Sequence, residues 1–306
     1  MIENLVSVTP DDYARLFPTP STVFGSAAFN MLNSAKVSRI EFLAALDADR
    51  RPVMGMIVGL RDGIWRSPFS APMAALSWNR DVSLATIESF FTHVRKHLAP
   101  HPLRLILPPA FIAPQMLTAI TGTAANMASS VIFDYNYHYD LSLTPEFEKH
   151  LKPGARNKYH QAQKSDFTFE SADIARAYAV IAANRTAKGY YLAMTLADLE
   201  ATSSIIDIDA FILSHRDTDV AAAIVYRIAP GIAHVVYWGD IPGFEQLRPM
   251  NILPYHIFTH YHALGFTIVN IGTSSTDGIP NHGLCSFKES LGCTLSLIPT
   301  ITIHNS

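Results

Sequence analysis

Three apolar runs lie close together late in the chain: Ile208 to Leu213, Val220 to Tyr226 and Ile232 to Trp238. Each is strand-length and rich in Ile, Val, Ala and aromatic residues. The turns between them, Ser214 to Asp219 and Ala229-Pro230-Gly231, are short enough to join antiparallel neighbours. Helical stretches surround this meander. Asp173 caps one through Tyr178 and Ile181 to about Thr186, and Lys188-Gly189 terminates it. Another lies near Thr195 to Ser204. After Gly239-Asp240 and Pro242-Gly243, a long helix runs from about Pro249 to Leu264, with Gly265 as its stop. A short strand, Thr267 to Ile271, comes next.

The earlier part of the chain reads similarly. Phe42 to Leu46 and Val53 to Val58 are strands around the turn Asp47 to Pro52, and Arg61-Asp62-Gly63 leads into Ile64-Trp65. Asp81 or Ser83 caps a helix to about Leu98, with Leu84, Ile87, Phe91, Val94 and Leu98 on one face. A strand from Leu103 to Leu107, a weak helix from Gln115 to Ile120 and a strand from Val131 to Leu141 complete the first half. In that last strand Tyr135, Tyr137 and Tyr139 share one face, and Asn136 and His138 share the other. Thr144-Pro145-Glu146 starts the second half as a capped helix. A basic helix, Ala155 to Lys164, follows with Arg156, Lys158, His160 and Lys164. It is either a solvated face or a contact for a phosphate-bearing substrate. Phe167 to Glu170 is a short strand. The expectation is an α/β (α+β) protein of two domains, 1–141 and 142–306, each a mixed, mostly antiparallel sheet flanked by helices.

Bulk properties narrow the function. The 306 residues are 49% hydrophobic and 16% charged, the balance of a folded, core-rich chain. A formal net charge of −3 gives no support for a large nucleic-acid surface. Two cysteines, Cys285 and Cys293, form no disulfide framework or zinc-finger pattern. The first residues, MIENLVSVTPDDY, have no basic-then-apolar leader pattern, and no apolar run reaches the roughly 18 residues of a membrane span. The expectation is a cytoplasmic protein with no membrane span.

The stretch Asn270 to Gly292, NIGTSSTDGIPNHGLCSFKESLG, carries the candidate chemistry. A buried strand ends in Gly272 and the hydroxyls Thr273, Ser274, Ser275 and Thr276. The turn pairs Asp277-Gly278 and Pro280-Asn281 lead into a short helix with Leu284, Phe287 and Leu291 on one face, and Gly292 stops it. Strand, polar loop and helix can present N–H groups and the Lys288 cation to an anionic ligand.

Several segments resemble the second domain of Fem-type peptidyltransferases: Tyr237-Trp238-Gly239 through Pro242-Gly243, Leu247 to Leu253, Gly265-Phe266, Gly272 to Ser275, Asn281 to Leu284, and Phe287 to Gly292. Asn157 to Lys164 is similar to their basic helix. These enzymes carry two GNAT-like domains in tandem within the acyl-CoA N-acyltransferase superfamily. They move an amino acid from aminoacyl-tRNA onto an amine of a cell-wall precursor. The resemblance implies tandem GNAT-like domains, a donor-contacting role for Lys288 with Phe287 beside it, and no tightly bound cofactor. The acyl donor, aminoacyl-tRNA or acyl-CoA, is then a co-substrate, and the partner is a small-molecule or peptide amine. The chain lacks a long charged helical pair for a tRNA arm. Gln246 to Asn251 also lacks the glycines of the phosphate loop found in CoA-dependent GNAT enzymes.

Acyl transfer to an amine needs a base, an oxyanion partner and two aligned substrates. Lys288 fits a role neutralising the oxyanion or a phosphate, aided by loop N–H groups near Ser274 and Ser275. Arg248 fits a phosphate or carboxylate at the long helix's N-terminus. Asp240 is the first candidate base and Asp277 the second. Phe287, Asn281, Tyr237, Arg156 and Lys158 complete the expected substrate-binding set. A contrasting reading keeps the fold and the cleft without catalysis, as a ligand-binding or regulatory protein. His256 and His260 have metal-ligand spacing on the long helix but read as packed histidines, and Cys285 reads as structural.

Overall fold

The computed structural model describes residues 2–74 and 76–304. The chain begins β1 (Asn4–Val8), α1 (Pro10–Leu16), α2 (Ala27–Leu32), β2 (Arg39–Leu46), β3 (Pro52–Arg61), β4 (Ile64–Ser67) and β5 (Leu76–Trp78). It continues α3 (Leu84–Leu98), β6 (Leu103–Ile106), α4 (Pro114–Asn126), β7 (Ser130–Asp140), α5 (Phe147–His150), α6 (Pro153–Gln163), β8 (Phe167–Ala172), α7 (Ile174–Lys188) and α8 (Leu196–Ser203). The last elements are β9 (Ile208–His215), β10 (Thr218–Ala229), β11 (Ile232–Asp240), α9 (Pro249–Ala263) and β12 (Ile268–Thr273). Two short strands, β13 (Ser275–Thr276) and β14 (Ile279–Pro280), precede α10 (His282–Ser290) and β15 (Thr294–Ile303). No helix among the described residues is long and apolar enough to cross a membrane.

Local chemistry sets several of these limits. The Ser83 hydroxyl accepts from the Thr86 N–H to start α3, and Thr195 and Asp198 form a reciprocal capping box on α8. Gly189 ends α7 in the left-handed conformation at φ 65°. Two details differ from the sequence reading. Leu84 opens α3 but is exposed, and the buried face is Ile87, Phe90, Phe91, Val94 and Leu98. Thr144 caps no α-helix: residues Leu141–Glu146 form a 3-10 turn capped by Asp140, and α5 begins only at Phe147. Pro145 sits inside that turn and has no N–H to donate at its position, which fits the break between the turn and α5.

The chain forms two compact units. The first is made from the described residues of Met1–Tyr135, Ser275–Ile279 and Ser296–Ser306, and the second from Asn136–Ser274 and Pro280–Leu295. Relative to a division at 141/142, each unit therefore takes a strand segment from the opposite half. In the first unit the sheet runs β1-β2-β3-β4-β6-β15, with β5 also on β3. Its neighbours are antiparallel except β4 and β6, which are parallel and joined through α3. One face packs on α3 and α4 through Leu43, Val58, Trp65, Phe90, Leu105 and Ile301. The other face meets Tyr13, Phe17 and Ala27 over β1, β2 and β3.

The second unit repeats the plan. Its sheet runs β7-β12-β11-β10-β9-β8, antiparallel except β11 and β12, which are parallel and joined through α9. A parallel pair needs a crossover of this length, so the helix between the two strands follows from their direction. Its core includes Tyr139 stacked on Phe258 at 4.0 Å, with Phe147 edge-on to both. Both units are thus mixed, mostly antiparallel sheets with flanking helices.

Candidate functional site

In the second unit β11 and β12 pair over three positions only: Ile232↔Ile268, Ala233↔Val269 and His234↔Asn270. Beyond His234, β11 keeps β10 as a strand partner, and its other edge has none among the described residues. A bulge helps the divergence. Tyr237 faces Ile224 and Val235 faces Val225, leaving Val236 as the extra residue that bends β11. The result is a gap between parallel strands with α9 starting beyond the end of β11.

A buried polar pair sits where the strands part. Asn270 Nδ2 donates to His234 Nδ1 at 3.0 Å. The Asn270 Oδ1 accepts from the Gly272 N–H at 3.3 Å, which fixes the amide orientation and leaves the His234 proton on Nε2. Burial, aided by the Lys288 charge, pulls His234 down to about 4, so the ring is neutral.

Lys288 lies inside the protein, 2% exposed. Asn281 caps α10 by accepting from the Leu284 N–H, and its own N–H donates to the Ser274 carbonyl. That anchoring turns Lys288 inward. Its Nζ donates to the carbonyls of Gly272 at 2.8 Å and Thr273 at 2.9 Å, and lies 5.7 Å from the Tyr137 ring centroid. Gly272 can turn its carbonyl towards the ammonium because it adopts φ 75°, a conformation glycine takes freely. An ammonium has three N–H donors, and these bonds use two. Burial pulls Lys288 down to about 8, partly offset by the thiols of Cys293 and Cys285. The Tyr137 hydroxyl donates to Glu289 at 3.0 Å, and Lys152 holds the other Glu289 oxygen at 3.0 Å. Phe287 meets Trp238 of β11 edge-on at 6.2 Å.

The other expected residues divide into several groups. Asp240 ends β11; its carboxylate is 3.2 Å from Lys188 Nζ, and its carbonyl accepts from Asn184. Arg248 is the residue before α9, at φ 62°, and its Nε reaches Gln161 at 3.5 Å. Tyr237 is buried under the Arg185 guanidinium at 5.6 Å. Ser274 is buried and its hydroxyl has no hydrogen-bond partner. Ser275 and Asp277 belong to the first unit. There the Ser275 hydroxyl donates to Asp134, and Asp277 lies 3.6 Å from Arg104. Arg156 is occupied by the carbonyls of Glu148, Lys149 and Leu151, while Lys158 is exposed on α6.

The structure thus gathers Lys288, Phe287, Asn281 and Ser274 around one loop and helix of the second unit, and does not bring Ser275 or Asp277 into that unit. Among the described residues no group of three or more His, Cys, Asp or Glu side chains is placed to hold a metal. His256 stacks on Phe169 at 4.9 Å, and His260 packs edge-on to Phe211 at 4.8 Å. The pairs His234–Asn270 and Tyr137–Glu289 went unread in the sequence. A polar residue within an apolar strand run was the available signal for His234 and Asn270.

No protein-family model matches the sequence, and no curated protein matches it. Solved structures share its fold. FemX superposes with a TM-score of 0.63 at 10% identity, over 98% of this chain and 97% of that one. The C-terminal domain of a putative lysylphosphatidylglycerol synthetase from Agrobacterium fabrum gives 0.60 at 9% identity, over 96% and 92%. A tandem GNAT protein from the clavulanic acid biosynthesis pathway gives 0.54 at 11% identity, over 99% and 98%. The chain therefore has the tandem GNAT-like fold that Fem-type proteins share.

Proposed function

We propose that this protein is an N-acyltransferase that moves an acyl or aminoacyl group directly onto an amine, in the Fem-like manner. The observation that carries the reading is the parting of β11 and β12 at His234 and Asn270, with the Lys288 ammonium set behind the loop that follows β12. The fold neighbours FemX, a putative lysylphosphatidylglycerol synthetase and a tandem GNAT protein support transfer chemistry of this class.

The β11 edge from Val235 to Asp240 offers backbone N–H and C=O groups to an amide-bearing donor. The acceptor amine attacks the donor carbonyl carbon, forming a C–N bond. The C–O bond of an aminoacyl-tRNA ester, or the C–S bond of an acyl-CoA thioester, then breaks. Lys288's third N–H stabilises the oxyanion. Asp240 takes the ammonium proton, which finally goes to the leaving oxygen or sulfur, and Arg248 holds the donor's anionic end. The acceptor is a small-molecule or peptide amine, with a cell-wall precursor as the leading class.

Replacing Lys288 by Met keeps the volume and removes the donor. Transfer by a folded Lys288→Met protein should fall roughly 10²-fold or more, as when one oxyanion donor is lost elsewhere. Wild-type turnover in that variant would contradict the role. A second reading, ligand binding without catalysis, draws on the same enclosure: the ammonium is buried and already bonded to two carbonyls. A donor that raises the unfolding midpoint without any turnover would favour it.

A further inference from the structure

We propose that the first unit carries a binding site for a phosphate or pyrophosphate group, built from Arg61, Arg66 and Arg104. The site is independent of the transfer reading and lies on a different set of strands. Register places it. Arg66 of β4 is directly beside Arg104 of β6, and Arg104 is beside Thr302 of β15. On β3, Gly59 faces Arg66, so Arg61, two residues further on, shares that face. The alternate residues Trp65, Leu103, Leu105, Ile301 and Ile303 point to the opposite face and fill the core there. Three guanidiniums therefore emerge from three adjacent strands on the side away from α3 and α4.

Their counter-charges are weak. Arg66 Nε is enclosed and has no hydrogen-bond partner. Two carboxylates serve the flanking arginines from a distance: Asp62 is 4.0 Å from Arg61 and is the weakest of the influences on Arg66, Asp277 is 3.6 Å from Arg104, and both are exposed. The Arg61 and Arg104 side chains remain 45% and 38% exposed, so a ligand can reach them. Burial first, then the like charges of Arg61 and Arg104, pull Arg66 below its ordinary range. Like charges side by side on a sheet, together with an enclosed N–H lacking an acceptor, cost free energy that an anion would recover. Strands spaced about 4.8 Å apart spread the three forks over roughly 10 Å, wide for one carboxylate and suited to a phosphate or pyrophosphate. The Thr302 hydroxyl adds a neutral donor in the same row.

The test is calorimetric titration of the purified full chain with inorganic pyrophosphate, alongside co-sedimentation with phosphatidylglycerol vesicles. The proteins are wild type, Arg66→Gln and Arg104→Gln. Pyrophosphate should bind the wild type and weaken about ten-fold or more in each variant, the loss expected for a charge-assisted contact. Vesicle binding lost in both variants, without pyrophosphate binding, would assign the phosphate to a lipid headgroup. Without ligand, Arg66→Gln should melt no lower than wild type, because it removes an enclosed N–H that lacks an acceptor and a cation flanked by two like charges. Binding of neither probe, or binding unchanged in both variants, would overturn the proposal.

Discussion

The Lys288 ammonium is held inside the protein by the carbonyls of Gly272 and Thr273. Its place on a short helix after a polar loop was legible from the caps and turn residues of Asn270–Gly292. Its burial was not, because the side chain that reaches Gly272 and Thr273 is directed by the left-handed turn at Gly272 and the Asn281 anchor. That setting makes a pH prediction. Lys288 is held near 8 in the folded protein against 10.5 for a free lysine, so the unfolded chain binds more protons between those values. Stability should therefore rise as pH climbs from 8 towards 10.5, and Lys288→Met should flatten that limb in denaturant titrations. His234 acts at the other end. Held near 4 against 6.5, it should cost stability as pH falls through that interval. His234→Asn should reduce the acid-side loss in the same measurement.

At the scale of elements, β11 is tightly constrained by what packs on it. A Cβ on Gly239 would lie 2.6 Å from Asn184, whose side chain donates to the Asp240 carbonyl. Gly239→Ala should thus cost roughly 1–3 kcal/mol by overpacking and shift the end of β11 that carries Asp240. Chemical denaturation would measure the first effect, and loss of transfer the second. Asn281→Ala should cost about 1 kcal/mol by removing the α10 cap. The strands β9 to β11 and the helices α7, α8 and α9 were legible because their apolar runs, caps and glycine stops agree. Elements without such agreement were not. α1 is a 7-residue helix, and the change along one face of β15 from exposed Leu295 and Leu297 to buried Ile301 and Ile303 depends on what the strand packs against.

For the whole molecule, the duplicated plan was visible as element order, while the allocation of strands was not. Sequence separation places Thr294–Ile303 with the second half, yet Thr300 to Ile303 pair with Ile106 to Leu103 and bury Ile301 and Ile303 in the first unit's core. Nothing local in a strand names its partner, since pairing depends on the opposing edge. Ending the chain after Leu295 should therefore melt the first unit, with loss of Trp65 burial readable by fluorescence. A wild-type transition in that truncation would contradict the assignment.

Acyl transfer to an amine is the claim that joins these scales. Its most direct test is mass spectrometry of amine acceptors, including peptides and cell-wall precursors, incubated with purified protein and either aminoacyl-tRNA or acyl-CoA donors. The account predicts a new amide product that depends on the protein and is lost in folded Lys288→Met. Donor-induced thermal stabilisation with no amide product from any donor and acceptor pair would contradict it.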